Sequence, residues 1–472
     1  MTYKRKRSDD MQFFDFEYNG SDNHDASIKQ LDELLQPQQQ HHSDCKTLRN
    51  FVIQEPNWTE SLLTRFVNVF RQFAERGQLW DSLEIIPREG YLSSTSHYYL
   101  RPLLFAANTM NLFREIVVSA PLIPGGGGDH GAGEDGMVVE HTTSILAGAL
   151  LNTRLESLSI SCPLEIMAHG DFQALLQLVG TTRTLNELTL NGLAIRSDKV
   201  AKALAKNKTL RKVSLNVTAN DMGLSSLIQA LHESTKLEEL LIQTDNQFGP
   251  LCSKALQTLL LRSKTLKSLT LQDNSPFCQT EASRKLHLSH LLDGLKGSRS
   301  IEYLSMKNLF LEEDEEDSMI LSKMFPVLNN SSNSLKGLEL LTRTRITQQD
   351  LEQVTNMPRL QKPLRLNLDR RLLLDHTTAF FDMLQAHPEI RRPWPRNVVA
   401  ETIEGFHLQH VWELNYHGRA LLLPQLNRHD DDNCSSIPLS LWPTVLEKAN
   451  DKSNVLFTFL KGPAFAGSQN CQ

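Results

Sequence analysis

Between residues 80 and 340 the apolar positions fall into one recurring six-residue unit, L-x-x-L-x-L, with Ile, Val, Met, Phe or Trp in some of the leucine slots. Copies begin at Trp80 (with Leu83 and Ile85), Phe113 (Ile116, Val118), Leu155 (Leu158, Ile160), Leu185 (Leu188, Leu190) and Leu210 (Val213, Leu215). They continue at Leu237 (Leu240, Ile242), Leu266 (Leu269, Leu271), Ile301 (Leu304, Met306) and Leu335 (Leu338, Leu340). Successive copies lie 33, 42, 30, 25, 27, 29, 35 and 34 residues apart. Two looser copies follow, at Leu364-Leu366-Leu368 and at Val411-Leu414-Tyr416. The closing Leu-x-Leu alternates, so its apolar side chains share one face of a short strand. The first Leu enters the same core through the bend before the strand. One unit cannot bury its apolar face alone, whereas stacked neighbours make a continuous core.

The stretches between units carry apolar residues at helical spacing, at 197–204 and 224–231 and over about 141–151, 171–180, 252–262, 284–296, 318–329, 348–356 and 376–386. Strand, loop, helix and loop in alternation predict an α/β fold: a βα solenoid (horseshoe) with a parallel inner sheet, outer helices and helical caps. Ahead of the repeats, Leu62, Leu63, Phe66, Val67, Val69 and Phe70 predict a helix opened by Glu60 and ended by Gly77. Five segments follow: a disordered tail over 1–50, a helical cap over 51–79, the solenoid over 80–425, a polar linker over 426–437 and a C-terminal helical cap and tail over 438–472. The tail is expected because Ser, Asp, Asn, Gln and His there offer little apolar area to offset ordering entropy. Within it, the aromatic and acidic alternation from Phe13 to Tyr18 reads as a docking motif or as a sticky part of the tail.

These units resemble the leucine-rich repeats of the ribonuclease-inhibitor type, over about residues 80–420. The resemblance implies full helices between the strands and a concave binding surface. Asn274, eight residues after Leu266, stands where that repeat commonly has Asn, and Asp245 and Thr218 hold the equivalent place in two neighbours. An amide there hydrogen-bonds turn backbone that has no ladder partner. Residues 414–419, 437–449 and 454–461 resemble a C-terminal module that closes many leucine-rich-repeat proteins of unicellular algae. That likeness implies a cap on the last repeat.

Composition narrows the chemistry. The net charge of −6 lacks the basic surplus that phosphate neutralisation asks for, which argues against nucleic-acid binding. The six cysteines, at 45, 162, 252, 278, 434 and 471, form no CxxC unit and do not recur with the repeat, so free thiols in a reducing compartment are expected. The chain opens without a signal-peptide pattern, and no stretch approaches the roughly 18 apolar residues of a membrane span. A cytoplasmic or nuclear location follows, the basic cluster Lys4, Arg5, Lys6 and Arg7 being the minimal form of an import signal.

Candidate chemical motifs are incomplete. The glycine-rich loop 125–136 contains G-x-G-x-x-G, but Pro121 and Pro124 separate it from the preceding strand, and its acids repel phosphate. It reads as a flexible insertion. His407, His410 and His417, and separately His41, His42 and Cys45, lack the remaining ligands of a four-coordinate metal set. The acidic run 312–317 reads as a solvated helix approach or as a docking site for a basic partner. No catalytic residue, cofactor or metal is assigned.

The best-supported site is the concave face, formed by the x positions that point away from the core. Its expected partner-binding residues are Glu156, Asn186, Glu187, Arg211, Lys212, Glu238, Glu239, Leu241, Lys267, Glu302, Tyr303, Lys336 and Glu339, with Asp81, Glu84, Arg114 and Glu115 at matching positions. Acids outnumber bases in this set, which suits a protein partner carrying a basic patch. Tyr303 and Leu241 are the candidate anchors. The function expected is that of a protein-interaction scaffold, not an enzyme. One alternative is an adaptor that presents a captured protein for ubiquitin ligation through the C-terminal module. A second is an enzyme carried on the repeats.

Overall fold

The computed structural model describes residues 13–18, 29, 47–54, 58–86, 94–118, 146–161, 169–193, 197–217, 220–232, 236–244, 248–274, 286–309, 311–312, 319–330, 334–342, 346–368 and 376–391. The chain divides into two units, Met1–Asn246 and Gln247–Gln472.

In the first unit, strands β1 (Phe13–Tyr18), β2 (Thr47–Gln54), β3 (Trp80–Ile86), β4 (Phe113–Val118), β5 (Ser157–Ser161), β6 (Glu187–Leu193), β7 (Lys212–Val217) and β8 (Glu239–Thr244) follow chain order. Each runs parallel to the next. Helices α1 (Glu60–Glu75), α2 (Ser94–Thr109), α3 (His169–Thr181), α4 (Ser197–Lys206) and α5 (Asp221–Leu231) alternate with them, and a 3₁₀ turn, Leu146–Leu151, stands between β4 and β5. The second unit holds α6 (Pro250–Arg262), β9 (Ser268–Asp273), β10 (Leu286–His287), α7 (Leu288–Gly297), β11 (Tyr303–Lys307) and β12 (Leu311–Glu312). It continues with α8 (Ile320–Leu328), β13 (Gly337–Leu341), α9 (Gln348–Thr355), β14 (Leu364–Leu368), α10 (Thr377–Ala386) and β15 (Ile390–Arg391). There β9, β11, β13, β14 and β15 are successive parallel neighbours, while β10 and β12 form a small pair of their own.

The repeat pattern sets the register. In the first unit Leu83, Ile116, Leu158, Leu188, Val213 and Leu240 form one column across the strands, and Ile85, Val118, Ile160, Leu190, Leu215 and Ile242 form the next. In the second unit the columns are Leu269, Leu304, Leu338, Leu366 and Leu271, Met306, Leu340, Leu368. All of these side chains are buried, and so are the opening residues Leu155, Leu185, Leu210, Leu237, Leu266, Ile301 and Leu335. Each full burial is worth about 1.5–3 kcal/mol before entropy is counted, so stacking the repeats drives folding. The facing helices contribute Leu175 and Leu178, Leu227 and Leu231, and Leu256 and Leu259 to the same interiors.

The N-terminal tail reading needs correction, because strands lie at both ends of the segment read as disordered. Leu48, Phe51 and Ile53 repeat the L-x-x-L-x-L unit and pair with Trp80, Leu83 and Ile85. Phe51 is a hub, its ring 5.3 Å from Phe70, 5.1 Å from Trp80 and 6.2 Å from Phe113, all edge to face. The Phe13–Tyr18 segment adds in parallel to β2, with Phe16 in register with Phe51. Helix α1 spans Glu60–Glu75 as the pattern predicts: the Thr59 hydroxyl accepts from the Leu62 N–H at 3.2 Å, and Gly77, at φ +65, turns the chain out of it. Helix α2 was not legible, since Pro102 interrupts its pattern. In the looser copy Pro363 takes the first slot and Leu364 pairs with Ile390.

Polar residues join one repeat to the next. The hydroxyls of Thr184, Thr209 and Ser334, each directly before a first leucine, donate to the carbonyls of Leu155, Leu185 and Ile301 at 2.8, 2.8 and 2.7 Å. Buried Asn207 donates to the Val179 carbonyl at 2.6 Å and accepts from the Thr209 and Leu210 N–H groups. Asp350 is fully buried in the first turn of α9, and its carboxylate accepts from the Leu321 and Ser322 N–H groups, both at 2.8 Å, at the open end of α8. Asn274 departs from expectation: it is exposed, and its carbonyl accepts from the Gln272 amide at 2.7 Å. The buried polar positions stand one residue earlier, at Thr244 and Asp273. Asp245 and Thr218 lie outside the described residues.

Candidate functional site

Alternation along each strand turns the side chains between the core columns to the opposite face. Two polar columns result in each unit. In the first, Ser82, Glu115, Ser157, Glu187, Lys212 and Glu239 run side by side, followed by Glu84, Val117, Ser159, Thr189, Ser214 and Leu241. In the second, Ser268, Tyr303, Gly337 and Arg365 form one column, and Thr270, Ser305, Glu339 and Asn367 the other.

The expected site residues divide over these rows. Glu187, Lys212, Glu239 and Tyr303 lie in the first column, and Leu241 and Glu339 in the second. Glu156, Asn186, Arg211, Glu238, Lys267, Glu302 and Lys336 stand one residue ahead of each strand. There the Glu156, Asn186, Arg211 and Glu238 N–H groups donate to the carbonyls of Arg114, Glu156, Asn186 and Arg211, all at 2.7 Å. Glu302 and Lys336 continue this pattern in the second unit, onto Lys267 and Glu302 at 2.7 Å. All thirteen therefore flank or occupy one strand face of their unit.

What the sequence did not show is how these charges answer one another across strands. Lys212 lies 3.2 Å from Glu187 and 3.9 Å from Glu239, and the Glu187 contact leads the causes that raise its pKa. Arg211 lies 3.7 Å from Glu238, and Arg114 3.9 Å from Glu156. In the second unit Lys336 meets Glu302 at 2.8 Å and Lys307 meets Glu339 at 3.2 Å. Glu339 also accepts from the Ser305 hydroxyl and, at 2.7 Å, from the Asn367 amide. Burial alone would raise its pKa, but the donors Ser305, Lys307 and Asn367 outweigh that and hold it below the ordinary carboxylate range. Much of the charge is thus engaged within the face, and surface pairs of this kind contribute only about 0–1 kcal/mol each.

The balance differs between the units. On the strand rows of the first, among residues whose side chains are described, Asp81, Glu84, Glu115, Glu156, Glu187, Glu238 and Glu239 are seven acids against the four bases Arg49, Arg114, Arg211 and Lys212. On those of the second, with the row Gln272, Lys307 and Leu341, the four bases Lys267, Lys307, Lys336 and Arg365 stand against the two acids Glu302 and Glu339 among residues whose side chains are described. The acid surplus read from the sequence belongs to the first unit alone.

The alternation that marked the site residues also covers several that the sequence reading passed over. Ser159, Thr189 and Ser214 form a half-exposed hydroxyl strip, and Asn191 donates to the Ser161 hydroxyl at 2.8 Å along the next row. Arg365 and Lys307 lay beyond the residues read as facing outward.

Among the described residues no cluster of three metal-ligating side chains occurs and no helix is long and apolar enough to cross a membrane. Cys252 is buried and forms no disulfide. The basic cluster at Lys4, both histidine groups, the glycine-rich loop, residues 313–317 of the acidic run, the Val411 copy and residues 430–472 lie outside the described residues. No protein-family model matches this chain, and no curated protein matches it.

Proposed function

We propose that the chain is a leucine-rich-repeat solenoid of the ribonuclease-inhibitor type, and that the polar strand face binds a protein partner without covalent chemistry. Strands repeat about 4.8 Å apart and packed helices about 10 Å apart, so stacking them in register bends each unit with its strands on the short, inner side. The observation that carries the reading is the division of labour in every repeat. The two apolar columns are buried in the core, while the alternate columns are mostly polar and, apart from Ser82 and Gly337, half-exposed or exposed. A row of side chains held by main-chain ladders is a preorganised surface, which lowers the ordering cost of association.

The first unit's acid surplus suits a basic segment, with Leu241 as the apolar contact beside Glu239. A reducing cytoplasmic or nuclear setting agrees with the buried thiol of Cys252. The adaptor alternative rests on residues 430–472, outside the described residues. The test compares proteins retained by the wild-type chain with those retained by a Glu187→Lys, Glu239→Lys variant. Partners lost from the variant, and weakened by salt in the wild type, support the reading. Identical retention by both chains contradicts it.

A further inference from the structure

Among the strand residues whose exposure is described, Tyr303 is the one exposed large hydrophobic side chain, at 41% exposure. Its position depends on the residue beside it. A Cβ added at Gly337 would stand 2.7 Å from Tyr303 Cδ1 and 3.1 Å from Cε1, so the ring lies over bare backbone. Any larger residue at 337 would push the ring off that seat. Arg365 is the next residue in the same column, exposed, and among the described residues no carboxylate pairs with it. The flanking ion pairs are lopsided. Glu302 is 29% exposed against 59% for its partner Lys336, and Glu339 is 27% exposed against 35% for Lys307. In both pairs the acid is the more covered member, and of the two bases Lys336 stands beside the Tyr303–Gly337 step.

We propose that the Tyr303, Gly337 and Arg365 patch seats an extended acidic segment of a partner protein. An apolar or aromatic side chain of that segment would rest on the Tyr303 ring, and a carboxylate would meet Arg365. This rests on the reading that the strand face binds protein, and it gives the second unit a ligand opposite in charge to that expected of the first. Three neighbouring strands span about 10 Å, which is about three residues of extended peptide. An aromatic platform beside a guanidinium provides both the buried apolar contact and the bidentate carboxylate recognition from which interface hot spots are made. A peptide is favoured over nucleic acid because the second unit offers few cations and two of them are already engaged.

The experiment is fluorescence anisotropy on the full chain with a labelled peptide Glu-Glu-Asp-Phe-Glu-Asp-Glu. The same peptide with lysine for each acid, and a labelled oligothymidylate, are run in parallel. Tyr303→Ala and Arg365→Glu are each expected to weaken the acidic peptide about tenfold. Gly337→Ala should weaken it several-fold through the displaced ring, and thermal unfolding checks that each variant keeps its fold. The lysine peptide should respond to none of the three. Unchanged binding in the variants, absence of acidic-peptide binding, or preferential oligothymidylate binding through the same residues each overturns the proposal. If the acidic peptide fails while lysine-peptide binding still depends on Glu187 and Glu239, only this seat falls. If both peptides fail, the strand-face reading falls with it.

Discussion

Leu188 and Thr189 are neighbours in one strand, yet they do opposite work. Leu188 sits in a core column between Leu158 and Val213, and Thr189 lies on the polar face between Ser159 and Ser214. Leu188→Ala should cost about 2–5 kcal/mol in urea unfolding, because it leaves a cavity between repeats. Thr189→Ala should stay within about 0.5 kcal/mol. Similar losses at both sites would contradict the assigned faces. Buried titratable groups give a second check. Burial pulls the His387 pKa down; the Val354 carbonyl opposes this from 2.8 Å, and Arg359 adds to the lowering. The neutral ring is thus favoured in the fold, so its contribution is present above about pH 6.5 and is lost as pH falls through the lower folded value. Asp350 runs the other way. Burial raises its pKa, and the N–H groups of Ser322 and Leu321 only partly offset that. Its contribution is whole below the ordinary carboxylate range and declines as pH rises through the raised value. The His387 contribution to the urea midpoint should therefore fall on mild acidification below about pH 6.5, and comparison with His387→Phe should separate that fall from the opposing rise of Asp350. An unchanged slope in the variant would remove His387 from the account.

At the scale of elements, the joints between repeats matter as much as the repeats. Asp350→Ala leaves two helix N–H groups without an acceptor, a loss of about 1–3 kcal/mol in chemical denaturation. Such joints are hard to read in a sequence. A buried Asn207 or Asp350 looks like loop polarity until its partner, the Val179 carbonyl 28 residues away or the Leu321 N–H 29 residues away, is brought alongside. The hydroxyl before the first leucine was visible at Thr184, Thr209, Thr265, Ser300 and Ser334, but its partner depends on register. The core columns were legible because two-residue alternation is local. The first true copy, Leu48-x-x-Phe51-x-Ile53, carries the same pattern but follows a polar, low-complexity stretch that drowned it. If β2 belongs to the fold, Phe51→Ala should cost about 3–5 kcal/mol, since it empties the centre of an aromatic cluster. Were the segment a tail, urea unfolding would register almost nothing.

For the molecule as a whole, the sequence showed which residues face outward but not how charge divides. A surplus counted along one line became an acidic strand face in the first unit and a basic one in the second, because pairing runs across strands and not along the chain. The central claim is that this strand face, and not the helices, meets the partner. Photo-crosslinking tests it most directly, with a photoreactive residue placed in turn at Ser159, Thr189 and Ser214 on the strands and at Lys202 and Met222 on the helices. The account predicts partner adducts from the three strand positions and none from the two helix positions. Adducts confined to Lys202 and Met222 would contradict it.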